Sequence, residues 1–233
     1  MILTAHQPSY LPWIGLFHKI YLADQFCLYD DVQFTKKDFV SRNYLKSANG
    51  PILLSVPVMS KNHREKSLNV VEILDNGWST KHIKSIQLSY SKAPFFSKYF
   101  SEIADIIRFH RAGTLANLNQ ALMVYFLNSL GMCRDIHLAS NLSLVGNKSD
   151  RIIDMCQKLQ ANSYLFGKLG RGYANIESFQ ANGIQAFFQD YQHPTYPQIH
   201  GDFLPNLSII DLLFNVGPYS LEVILSGNIR DIQ

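Results

Sequence analysis

A chain of 233 residues, 47% of them hydrophobic and 17% charged, is long enough to bury a core and too apolar for a disordered tail, so it reads as one domain. The net charge of +3 is small and its Lys and Arg are scattered, the densest group being Lys61, His63, Arg64 and Lys66; this suits anionic small molecules and falls short of a nucleic-acid footprint. Cys27, Cys133 and Cys156 lack the spacing of a disulfide framework or zinc knuckle, and neither a basic leader nor an apolar run of the ~18 residues that span a bilayer is visible, which gives a cytoplasmic expectation.

The opening run Ile2 to Ala5 reads as a short buried strand, and the turn from His6 to Pro12 leads into an amphipathic segment, Trp13 to Ala23. A second strand at Gln25 to Tyr29 ends in Asp30-Asp31, completing most of a βαβ unit and predicting parallel strands. Their carboxyl ends, His6-Gln7 and Asp30-Asp31-Val32-Gln33, then meet at one edge of the sheet, where open α/β sheets bind ligands. Thr35 to Lys46 is polar and basic. Pro51 to Val58 and Leu68 to Ile73 look like strands of a hairpin or neighbouring strands, joined by a charged loop over 59–67.

From Trp78 the spacing turns helical, with helices expected at 78–90, 95–111 and 114–130, a helical insertion or layer. Strand–helix alternation then returns: a strand near Asp135 to Ala139, a helix from Ser149 to Leu159, a strand at Ser163 to Phe166, a short helix at Asn175 to Ala181, a strand at Gln185 to Phe188. A last helix from Asn206 to Asn215 stops at Val216-Gly217-Pro218. The sum is an α/β fold, a mostly parallel sheet of Rossmann-like βα units with a helical insertion.

Several constellations could carry chemistry. Asp30-Asp31, at a strand end, could bind a divalent metal or supply an acid and a base, or one of them could simply cap the next element. The loop 167–172 could offer backbone N–H groups and Arg171 to a phosphate, although it is neither a P-loop nor a dinucleotide fingerprint. Ser208, Asp211 and Asn215 share one stripe of the last helix, where the carboxylate needs partners, structural or substrate. His6, His82, His193 and His200 are possible bases, with His6 first and His82, one turn after Trp78, next.

Four stretches together resemble the WbqC-like family: His6-Gln7-Pro8-Ser9-Tyr10-Leu11-Pro12-Trp13-Ile14-Gly15; Tyr29-Asp30-Asp31-Val32-Gln33-Phe34-Thr35-Lys36 with Arg42-Asn43 and Lys46; Trp78 through Lys81-His82 to Tyr90 and Lys92-Ala93-Pro94-Phe95-Phe96; and His193-Pro194-Thr195-Tyr196-Pro197-Gln198, continuing to Phe203 and Leu207 through Asn215. The resemblance runs nearly end to end and implies a role in O-antigen, capsule or related glycan assembly. It suggests a transferase that acylates or aminoacylates the amine of a nucleotide-linked sugar, with acyl-CoA or a carrier protein as donor. Relatives can carry Met at the position of His6, which moves the emphasis toward Gln7, Asp30, Asp31, Gln33, Lys36, Asn43 and Asp211. In this expectation Gln7, Tyr10 and the other polar groups after the first strands hold the sugar, with Asp211 and Asn215 also in the binding set. Lys36, Lys46 or Arg171 faces phosphates, and Asp31, His82 or His6 accepts the amine proton. The alternatives are a non-catalytic sugar-nucleotide or carrier-protein binder, and a divalent-metal hydrolase or nucleotidyltransferase using Asp30-Asp31. The 78–130 helices would either cap the pocket or bury a homo-oligomer interface.

Overall fold

The computed structural model describes residues 1–59 and 66–227; Lys61, His63 and Arg64 of the basic group lie outside the described residues. Five short strands, β1 (Ile2–His6), β2 (Gln25–Leu28), β7 (Ile136–Leu138), β8 (Ser163–Phe166) and β9 (Gln185–Phe188), form one sheet in the order β7-β2-β1-β8-β9. Every neighbouring pair is parallel. The expected Rossmann-like arrangement of βα units is therefore present. The alternation along each strand decides which face is packed by what. Leu3, Ala5, Cys27, Tyr164 and Phe166 join a cluster with Ile152, Ile153, Met155 and Cys156 of α5 (Ser149–Lys158) and Phe179 of α6 (Ile176–Ala181). Phe26 and Leu28 turn the other way and join the cluster built on α1 (Ile14–Tyr21). Helices on both faces are what a parallel sheet requires, since both of its sides are apolar.

The predicted helical insertion is α2 (Trp78–Tyr90), α3 (Phe96–Phe109) and α4 (Leu115–Ser129), the last capped by the Thr114 hydroxyl accepting from the Asn117 amide. It shares the α1 cluster, with Phe17 and Phe126 edge to face at 6.1 Å. The C-terminal α7 (Ile209–Val216) and α8 (Ser220–Leu225) complete that side: α7 lays Phe214 against Phe96 at 5.3 Å, and the Phe95 amide donates to the Phe214 carbonyl. The α7 helix starts three residues later than the apolar run suggests, because Ser208 serves as its N-cap, its hydroxyl accepting from the Ile210 amide.

Between β2 and α2 the sequence reading needs correction. The strand over Pro51 to Val58 does exist as β4 (Gly50–Ser55), but its hairpin partner is β3 (Arg42–Ser47), inside the stretch read only as polar and basic. The buried positions of β3 are Asn43, Leu45 and Lys46, so the alternation of apolar and polar residues that marks a strand is absent from it. Leu68 to Ile73 is not one strand. Leu68–Val70 is a 3₁₀ turn, which brings Leu68 and Val71 together on the core side, and only the two-residue β5 (Glu72–Ile73) follows, paired with β6 (Gly113–Thr114). No helix among the described residues is long and apolar enough to cross a membrane.

Candidate functional site at the carboxyl edge of the sheet

The chain builds β1, then β2 and β7 to one side of it, and afterwards returns to place β8 and β9 on the other side. The strand order thus reverses between β1 and β8, the position at which open α/β sheets receive their ligands. Here the two strands part: β1 pairs with β2 along four residues, Leu3 to His6, but with β8 only at Ile2 and Leu3. Beyond that point side chains replace the ladder. The Thr4 hydroxyl donates to the Leu165 carbonyl at 2.8 Å, and Lys19 Nζ, reaching back from α1, donates to the Ala5 carbonyl at 2.9 Å. Because carbonyls alternate in direction along a strand and those of Ile2 and His6 are used on the β2 side, by the amides of Asp24 and Tyr29, the Ala5 carbonyl faces β8. Lys19 therefore stands in the opening between the two strands.

Lys19 is 5% exposed, and burial lowers its pKa to about 8. His6 ends β1 next to it. Its Nδ1 donates to the Gln7 carbonyl at 2.8 Å, which fixes the tautomer and leaves Nε2 an acceptor. Burial first, then the Lys19 charge, hold the imidazole neutral with a pKa near 4. On the β8 side the loop 167–172 forms a 3₁₀ turn, Lys168–Gly172, pressed so closely on the strand that a Cβ on Gly170 would lie 2.5 Å from Phe166 Cβ. Arg171 is exposed and stacks over the Phe188 ring at 4.9 Å.

On the β2 side of the same edge the two aspartates separate. Asp30 is buried and caps the turn after β7, accepting from the Ser140 amide at 2.9 Å and its hydroxyl at 2.7 Å; it is occupied by the fold. Asp31 pairs through Oδ2 with Arg151 of α5, whose guanidinium lies over the Tyr29 ring and also donates to the Leu144 carbonyl at 2.9 Å. Its other oxygen, Oδ1, is out of solvent and has no hydrogen-bond partner among the described residues. A buried acceptor with no donor is costly unless something else supplies one. Among the described residues no three of His, Cys, Asp and Glu converge as a metal site would need.

The remaining candidates fall into two buried networks. In the first, the Tyr10 hydroxyl donates to His82 Nδ1 at 2.9 Å, the other edge of the ring donates to the Ser55 carbonyl, and Trp78 packs on both rings. Both nitrogens of His82 are thus engaged. In the second, Asp211, fully buried, accepts from the hydroxyls of Tyr90 and Tyr196, each at 2.9 Å, and from the Gln198 amide at 2.8 Å. Lys46 Nζ donates to Gln198 Oε1 at 3.1 Å and to the carbonyls of Gly201 and Asp202, and Asn215 receives the Ile199 amide on its side-chain oxygen. Asn43 bridges to the Leu11 carbonyl at 2.6 Å. Gln33 and Lys36 are exposed on the segment after β2, Gln33 bridged to Ser67. His193 is locked between the Pro194 carbonyl and the Asn206 amide, and His200 donates to the Ser89 carbonyl at 2.7 Å.

The engagement of His82 has a consequence for stability. Burial holds its pKa near 4, against 6.5 for the free group. As pH falls below 6.5 the unfolded chain takes up a proton that the folded chain refuses, so stability is lost down to about pH 4, by an amount on the order of 3 kcal/mol. His6 acts with the same sign. Urea unfolding at pH 7.5 and pH 5 should show a weaker protein at pH 5, and His82→Gln should flatten that difference; an equally steep dependence in the variant would contradict it.

Two site residues escape the sequence reading. Lys19 sits inside the apolar run of α1, where every residue from Ile14 to Ile20 is buried; a lone cation in such a run was the available signal. Arg151 carries no signal of its own, since only the fold brings α5 to Asp31.

The family model described as the WbqC-like protein family matches residues 7–223 of the chain. An uncharacterized protein of Mycobacterium tuberculosis, Rv1507c, is 32% identical over 212 residues, which cover 91% of this chain and 92% of that one. No solved structure matches. The family match takes in Gln7 at the switch point, Asp31 beyond β2 and the Asp211 network, and the chain belongs to the WbqC-like protein family.

Proposed function

We propose that the protein transfers an acyl or aminoacyl group to the amine of a nucleotide-linked amino sugar, in the cytoplasmic stage of bacterial surface-polysaccharide synthesis. The observation that supports this best is Asp31: Arg151 orients the carboxylate by one oxygen, and the other oxygen, buried and without a hydrogen-bond partner among the described residues, lies at the carboxyl edge of the sheet. A sugar amine is a donor of the right kind for it. In the reaction the amine nitrogen attacks the carbonyl carbon of a thioester, on CoA or a carrier protein. The N–C bond forms, the C–S bond breaks, and Asp31 takes the amine proton and returns it to the departing thiolate. Gln7 and His6 Nε2 offer hydrogen bonds to sugar hydroxyls. His82 and Asp211, whose polar atoms are engaged by the protein, hold the scaffold.

The test is incubation of the purified protein with nucleotide-linked amino sugars and a panel of acyl-CoA and carrier-bound donors, with product read by mass. An N-acylated sugar nucleotide is the expected result. Binding of the sugar nucleotide without turnover with any donor would replace the transferase by a non-catalytic binding role. Turnover abolished by a chelator would replace it by metal-dependent chemistry.

A further inference from the structure

We infer that the opening between β1 and β8 is an oxyanion site with Lys19 as its anchor, and that its ligand is a phosphate or diphosphate group. The inference deepens the proposed function, since it names the charged part of the substrate.

Lys19 is the starting point. An ammonium group has three donors, and Lys19 spends one of them on the Ala5 carbonyl. Its other two have no acceptor among the described residues, and no carboxylate there lies within ion-pairing distance. A buried cation that is neither paired nor saturated costs several kcal/mol, and apolar residues of the same volume would be more stable in its place. Lys46 makes the contrast: equally buried, it meets three acceptors and has no capacity to spare. The surplus at Lys19 is therefore an invitation to a negative charge.

The position says which one. Lys19 lies where the strand order reverses, in a gap that the ladder leaves open after Leu3 and Tyr164. One wall of the gap is His6, which as a neutral ring adds no competing charge; the other leads into the loop 167–172, with Arg171 exposed on it. A phosphoryl group has enough oxygens to take both free donors of Lys19 and still meet backbone N–H groups or Arg171 at the loop. A carboxylate has fewer, and is less well suited to span the two strands.

The experiment measures thermal stabilisation and calorimetric affinity of the whole protein with inorganic phosphate, pyrophosphate and UDP, against uridine and acetate, in the parent and in Lys19→Met. Pyrophosphate and UDP should stabilise the parent while uridine and acetate do not. Lys19→Met should fold at least as stably as the parent and bind pyrophosphate about ten- to hundredfold more weakly, as the loss of charge-assisted hydrogen bonds implies. In the parent, NMR of isotopically methylated lysines should show one resonance of depressed pKa that titrates upward on adding pyrophosphate. Equal pyrophosphate affinity in Lys19→Met, or preference for acetate, would overturn the site. So would a less stable Lys19→Met together with an unresponsive lysine resonance, because Lys19 would then serve only the Ala5 carbonyl. The two readings fail separately. UDP bound through Lys19 with no acyl transfer keeps the site and removes the transferase; transfer by Lys19→Met with unchanged KM keeps the transferase and removes the site.

Discussion

Asp211→Ala should cost on the order of 4 kcal/mol, the largest single loss of stability expected in this protein. The carboxylate is fully buried and receives the hydroxyls of Tyr90 and Tyr196 and the amide of Gln198. Removing it strands three buried donors, each worth about 1–3 kcal/mol when left unmade. Burial raises the pKa of Asp211, while those three hydrogen bonds and the Lys46 charge work against the rise. The network also fastens the segment around Gln198 to β3 and α7 through Lys46 and Asn215. Asp211→Asn should fail nearly as badly, because one acceptor oxygen becomes a donor facing other donors. Urea unfolding at pH 7 reads both variants; a loss below about 1 kcal/mol for Asp211→Ala would mean that the hydroxyls find other acceptors and that the network is incidental.

Asp31→Asn should leave a folded protein that binds sugar nucleotide with little change and transfers acyl groups about 10²- to 10⁴-fold more slowly. The substitution keeps the shape and removes the proton acceptor. The Arg151 pair it weakens is partly exposed, 21% and 20%, so the structural cost is modest. His6→Met is the contrasting variant. It removes a hydrogen-bond acceptor and leaves the proton acceptor Asp31 in place, so it should alter KM more than kcat. Equal kcat in Asp31→Asn and the parent would remove Asp31 from the chemistry.

Much of the frame was legible in the sequence because a parallel strand buried on both faces announces itself as a short apolar run, as at Ser163 to Phe166, and the edge strand Gln185 to Phe188 keeps enough of that character to show. The helices of 78–130 showed by their spacing. β3 stayed hidden because two of its three buried positions are Asn43 and Lys46, on opposite faces of the strand, residues whose burial only the completed networks make tolerable. The site was legible at one level and illegible at another. That His6-Gln7 and Asp30-Asp31 share an edge follows from the βαβ connection. That Asp30 is consumed by Ser140 while Asp31 keeps one oxygen open depends on where β7 and α5 dock, 110 and 120 residues later in the chain. Lys19 belongs to the same class: its meaning comes from β8, which joins β1 only after the helical layer is complete.

The most direct test of the central claim, that ligands enter at the carboxyl edge where β1 and β8 part, is amide hydrogen exchange with and without a nucleotide-linked amino sugar at saturation. Protection should rise in His6 to Ser9, in Asp30 to Val32 and in Gly167 to Gly172, with the Asp211 network unchanged. Binding that protects the Tyr10–His82 or Asp211 regions and leaves those three segments as they were would place the site elsewhere and contradict the account.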